Sequence, residues 1–156
     1  ILSTLGKSAG NPEQSRGDGF ANTTTGELVF AISVALPSAQ QAQKTVDYIS
    51  SLPPETILLF ISPDEDLFTG IKEPQPKIGN SSVHYFLRYG IQKNEEWVRN
   101  VATDLIVFAE AGTIVFVLHS VNTTDESTNT ELRLDINDLS ENIYNRYKQA
   151  KESAKE

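Results

Sequence analysis

LVFAISVALPSAQQAQKTVDYISSLPPETILLFI, residues 28–61, is the stretch on which the fold turns. Residues 28–36 are nearly continuous apolar sequence of strand length, which suits a strand covered on both faces. Pro37 ends that run, and Ser38 with Gln41 three residues on is a capping-box pattern. Ala42, Val46 and Ile49 then recur at helical spacing until Pro53-Pro54 stops them. Residues 56–61, TILLFI, are again wholly apolar. A β-α-β unit is expected here, its two strands parallel and joined by a right-handed crossover.

Downstream, 63–81 reads as a long Pro/Gly loop carrying Asp64-Glu65-Asp66. Val83, Tyr85, Leu87, Tyr89 and Ile91 alternate with His84, Phe86 and Arg88, giving a half-covered strand. The polar spacing in 94–111 predicts a helix with Gly112 at its C′ position. The competing reading makes Leu-Ile-Val-Phe, 105–108, part of a hairpin strand. Residues 113–121 form a buried-type strand and 122–130 a polar hairpin loop. Leu132, Leu134 and Ile136 alternate with Glu131, Arg133 and Asp135, predicting a strand with one wet face. Asp138 and Glu141 make a second capping box, opening a helix with the stripe Leu139, Ile143, Tyr147 and Ala150.

The expected fold class is α+β: a mixed five-stranded sheet of order β-α-β-β-α-β-β-α, a variant of the ferredoxin-like arrangement. That arrangement puts its first and third strands in the centre, whereas here the third is the amphipathic one. The burial pattern therefore asks for a parallel first pair, with the third or fifth strand at an edge. Upstream, 1–26 has the composition of a flexible polar leader, with too few apolar residues to order itself. The domain division is thus leader 1–26 and a single α/β-type globular domain over 27–156.

Composition narrows function. In 156 residues there are 13 Lys+Arg against 21 Asp+Glu, a formal net charge of −8, which argues against nucleic acid as a partner. No apolar run reaches the roughly 18 residues of a membrane span. The absence of Cys removes disulfides, thiolate metal sites and cysteine nucleophiles. Met is absent too, and a chain that starts at Ile1 is expected to be a mature or excised piece. Both residues are oxidation liabilities, so their lack points to an extracytoplasmic or secreted location. Three N-glycosylation sequons, at Asn22, Asn80 and Asn122, agree with it.

Motifs add little chemistry. Gly6-Lys7-Ser8 lacks the upstream glycine of a phosphate loop, and Gly17-Asp18-Gly19 is no dinucleotide fingerprint. His119 and Ser120 are strand neighbours facing opposite ways, and no G-x-S-x-G elbow occurs. Asp64 and Asp66 are the candidate metal ligands, as oxygen donors for calcium; no other cofactor is implied. Asp125 and Glu126 head an acidic stretch with Glu131, Asp135 and Asp138 against Arg133 alone, a candidate surface for a basic partner. Arg16-Gly17-Asp18 is the tripeptide that integrin ligands use. No motif is specific enough to name a family, and no catalytic set stands out. The reading is a non-catalytic extracytoplasmic binding module: a sensor, surface or assembly domain with a protein partner, able to form oligomers. The competing class is a small enzyme or a ligand- or cation-binding protein using the 63–81 loop region.

Overall fold

The computed structural model describes residues 14–22, 26–62, 67–93, 96–122 and 128–153. The elements run β1 (Gln14–Asn22), β2 (Glu27–Ala35), α1 (Ala39–Ser51), α2 (Pro54–Ile61), β3 (Leu67–Lys72), β4 (Ser81–Lys93), β5 (Glu96–Glu110), β6 (Thr113–Asn122) and α3 (Thr128–Ser153). The strands form one sheet of six, in the order β1-β2-β6-β5-β4-β3, and every neighbouring pair is antiparallel. The α+β class stands. The five-stranded mixed sheet and its β-α-β-β-α-β-β-α order do not.

Each difference has a local cause. Residues 56–61 are helical, because Pro53-Pro54 starts an element as well as ending one. Pro54 occupies the first helical turn, where its fixed φ suits the helix, and Glu55 complements the dipole there. Ile57 and Leu58 of this helix are buried in the core and Ile61 packs against it, whereas Leu59 is 64% and Phe60 38% exposed. With that strand gone, no parallel crossover remains. Residues 96–110 are strand rather than helix, since Asn100, Thr103 and Asp104, expected on a wet helical face, are buried in the sheet. Ala111 (φ 46°) and Gly112 (φ 87°) close the β5–β6 hairpin as a two-residue turn of the I′ kind, so Gly112 caps no helix.

Residues 132–136 belong to α3, which begins at Thr128 and runs straight through the Asp138–Glu141 capping pattern. Leu132 and Ile136 are four apart, so their alternation also satisfies a helical repeat. Within the expected 63–81 loop lies β3, and within the expected leader lies β1, paired along its length with β2. Residues 1–13 and 23–25 of that leader lie outside the described residues.

The layers follow from strand parity. On one face α1 and α2 cover Val34, Val83, Tyr85, Leu87, Leu105 and Val107, joined by Ala42, Val46 and Ile49 of α1. Ser38 caps the helix as expected, its Oγ accepting from the Gln41 N–H at 3.2 Å, while the Gln41 side chain meets the Ser38 hydroxyl. On the other face α3 packs Ile136, Leu139, Ile143 and Tyr144 against Ile106, Phe108, Val115 and Val117. Phe108 and Tyr144 meet edge-on, with ring centroids 5.8 Å apart.

Candidate binding cleft

Small residues on β2 leave space under the C-terminal half of α3. Ala31 and Ser33 face α3 where bulkier side chains would fill the gap, and Val115 of β6 continues this floor. Ile143 and Tyr147 of α3 form one wall, and Arg16, Gly17 and Asp18 of β1 form the rim. The result is a cleft of about 290 Å³ that opens to solvent. Tyr147 fixes the helix side: its hydroxyl donates to Thr113 Oγ1 at 2.9 Å, with the Glu110 carbonyl 3.4 Å away.

The rim strand is an edge. Among the described residues nothing pairs with the outer side of β1. Which backbone groups face outward follows from the β2–β6 ladder. Leu36 N–H donates to the Gly112 carbonyl (2.8 Å) and Asn122 N–H to the Gly26 carbonyl (3.2 Å), at the two ends of one register. Hydrogen-bonded pairs recur every second residue in an antiparallel ladder. Leu28, Phe30, Ile32 and Val34 therefore direct their N–H and C=O to β6, and Val29, Ala31 and Ser33 direct theirs to β1. Their register partners Phe20, Asp18 and Arg16 answer β2. Ser15, Gly17, Gly19 and Ala21 turn their backbone groups away from the sheet. The Asp18 carboxylate accepts the Gly19 N–H at 2.8 Å, and the glycines leave room for Phe30 and Ile32 of β2 to lean over β1.

The histidines lie elsewhere on the α3 face. His84 Nε2 is 2.6 Å from Asp104 Oδ1, and both residues are buried. His119 Nε2 is 2.8 Å from Glu27 Oε1. Asp104 and His119 are register partners on β5 and β6, so the four side chains form a row across four strands. Beside it, Arg88 Nε donates to Asn100 Oδ1 at 3.2 Å. Among the described residues no group of three or more His, Asp or Glu side chains converges as a metal site would. On the opposite face, Tyr89, Thr103 and Ser120 form a buried hydroxyl chain, with Thr103 Oγ1 2.5 Å from Ser120 Oγ. Tyr85 Oη shares its proton between the Ile49 (2.7 Å) and Leu52 (2.8 Å) carbonyls at the end of α1. Desolvation pushes its phenol from the ordinary 10.0 to about 12.

Asp64, Asp66, Asp125 and Glu126, the site residues singled out in the sequence, lie outside the described residues. Arg16 and Asp18 are described, and sit two apart on an exposed strand. The cleft itself was hidden in the sequence, because it joins residues 16–18 to 143–147 through the small side chains of β2.

No protein-family model matches the chain, and no curated protein matches it by sequence. Among solved structures it is similar to LpqN, involved in cell envelope biogenesis of Mycobacterium tuberculosis, at 12% identity and a TM-score of 0.39, covering 83% of this chain and 84% of that one. It is also similar to the extracellular domain of PknH from Mycobacterium tuberculosis, at 9% identity and a TM-score of 0.38, covering 88% and 90%. Both likenesses are distant, and neither assigns a reaction or a partner to this chain. No helix among the described residues is long and apolar enough to cross a membrane.

Proposed function

We propose that the protein is a non-catalytic, extracytoplasmic binding module that takes an extended protein segment along β1, with side chains entering the cleft beneath α3. The observation that carries this reading is the coincidence of an open cleft with a strand edge whose N–H and C=O groups at Ser15, Gly17, Gly19 and Ala21 point outward. Strand addition supplies affinity through the main chain and specificity through pockets for alternate side chains. The cleft, at about 290 Å³ and open, falls at the lower limit of pockets that enclose small molecules, which favours side chains over a cofactor. The burial of His84, Asp104 and His119 supports a non-catalytic role, since groups that move protons must reach substrate. The lack of Cys and Met, with sequon asparagines Asn80 and Asn122 exposed, supports the compartment.

Selection of displayed ten-residue peptides against the purified protein tests this. Binders should be extended sequences that lose about tenfold in affinity, near 1.4 kcal/mol, when Ala31→Leu fills the cleft floor. Peptides indifferent to Ala31→Leu would contradict the reading, as would turnover of any hydrolase substrate that His84→Asn abolishes.

A further inference from the structure

We infer that the outer edge of β1 is a self-association site, at which two copies of this chain pair antiparallel about a two-fold axis through Gly17. The inference rests on the binding-module reading and names the partner: a second copy. An antiparallel pair of identical strands is isologous, so its register is set by the residue at the axis. The outward backbone groups of Ser15, Gly17, Gly19 and Ala21 restrict the hydrogen-bonded pairs to these positions. With Gly17 on the axis, Gly17 exchanges both hydrogen bonds with its copy, and Ser15 pairs with Gly19 at either side.

Charge then selects this register. Arg16 falls opposite Asp18 of the second copy, and Asp18 opposite its Arg16. These are non-hydrogen-bonded positions, where strands bring side chains closest, with Cα atoms about 4.5 Å apart. Opposite charges there stabilise the pair, and like charges disfavour it. An axis at Asp18 would oppose two aspartates, and one at Arg16 two arginines. Only the Gly17 axis gives two reciprocal ion pairs, both on the α3 face. The Asp18 carboxylate now holding the Gly19 N–H would transfer to Arg16 of the second copy, freeing that N–H for Ser15.

Two further features fit. On the face away from α3, Gly17 and Gly19 with the small Ser15 and Ala21 present nothing bulky beside the seam. Phe20, 60% exposed on the α3 face, comes diagonal to Arg16 of the second copy, within reach of its guanidinium. The two clefts then adjoin across the axis on one continuous sheet.

Sedimentation equilibrium of the full chain, from about 1 μM to about 1 mM, tests the register. The wild type should show a concentration-dependent dimer. Arg16→Asp alone and Asp18→Arg alone should each weaken it by at least about tenfold, because each sets like charges opposite at both pairs. The double variant carrying both substitutions should restore the dimer, and an equimolar mixture of the two single variants should form a heterodimer. These side chains are exposed, and circular dichroism verifies that the variants fold. A wild type that stays monomeric throughout, or a dimer indifferent to the reversals, overturns the inference. The binding-module reading fails separately, on peptides indifferent to Ala31→Leu.

Discussion

Phe60 and Phe108 are both aromatic residues in apolar runs, yet they differ in what they hold. Phe108 is fully buried between β5 and α3, so Phe108→Ala should cost about 3–5 kcal/mol in urea denaturation. Phe60 belongs to the outer side of α2, and Phe60→Ala should cost less than about 1 kcal/mol. A reversed order would mean that 56–61 is the central strand its composition suggests. Along the apolar runs, Val34, Val46, Ile49, Leu58, Val101, Leu105, Val115 and Val117 are buried, whereas Phe30, Ile32 and Ile143 are half-buried and Leu28 is 41% exposed. Leu28 is on the α1/α2 face, with Ile32 and Val34, but at the start of β2 and outside the cluster that α1 covers.

Tyr85 gives a residue-scale test in pH. Its phenol is raised by burial, so the unfolded chain loses this proton first as pH rises. The contribution is constant below pH 10 and falls between pH 10 and about 12. Tyr85→Phe should cost about 1 kcal/mol at neutral pH, for the hydrogen bonds to the α1 carbonyls. The gap between wild type and variant should then narrow in urea melts at pH 11. A gap that widens would contradict the assignment. Asp104→Ala should cost about 1–3 kcal/mol by leaving buried His84 without its acceptor.

At the scale of elements, the sequence was legible where one period dominated. The helix over Ala39–Ser51 and the strand Thr113–Asn122 match their patterns closely. Ser81–Lys93 is a strand as expected but lies inside the sheet with both faces covered, Ser82 and His84 being buried as well as Val83 and Tyr85. The sequence misled where short apolar runs fit two geometries, as in TILLFI, and where polar residues marked buried pairs rather than solvent. Thr103 and Asp104 look wet in sequence because their partners, Ser120 and His84, lie 17 and 20 residues away. The connection before β4 is similarly specific. Gly79 has φ +66°, and an added Cβ would sit 2.4 Å from the Ala109 carbonyl oxygen. Gly79→Ala should therefore destabilise by more than about 1 kcal/mol, read as a lower urea midpoint. An unchanged midpoint would show that this turn is not held against β5.

For the whole molecule, the antiparallel order β1-β2-β6-β5-β4-β3 leaves β1 at one margin, and α3 on a single face turns that margin into a cleft. Composition pointed away from this arrangement, since a polar, glycine-containing segment resembles a tether until a neighbouring strand supplies its order. Phe30 and Ile32 of β2 supply the apolar cover that β1 lacks. That β1 is an ordered strand whose outward backbone forms a binding edge can be read by amide hydrogen exchange, residue by residue. Arg16, Asp18 and Phe20, bonded to β2, should be protected at every concentration. Ser15 and Gly17 should exchange freely when dilute and become protected as the second copy docks. Rapid exchange at all five positions whatever the concentration would contradict it.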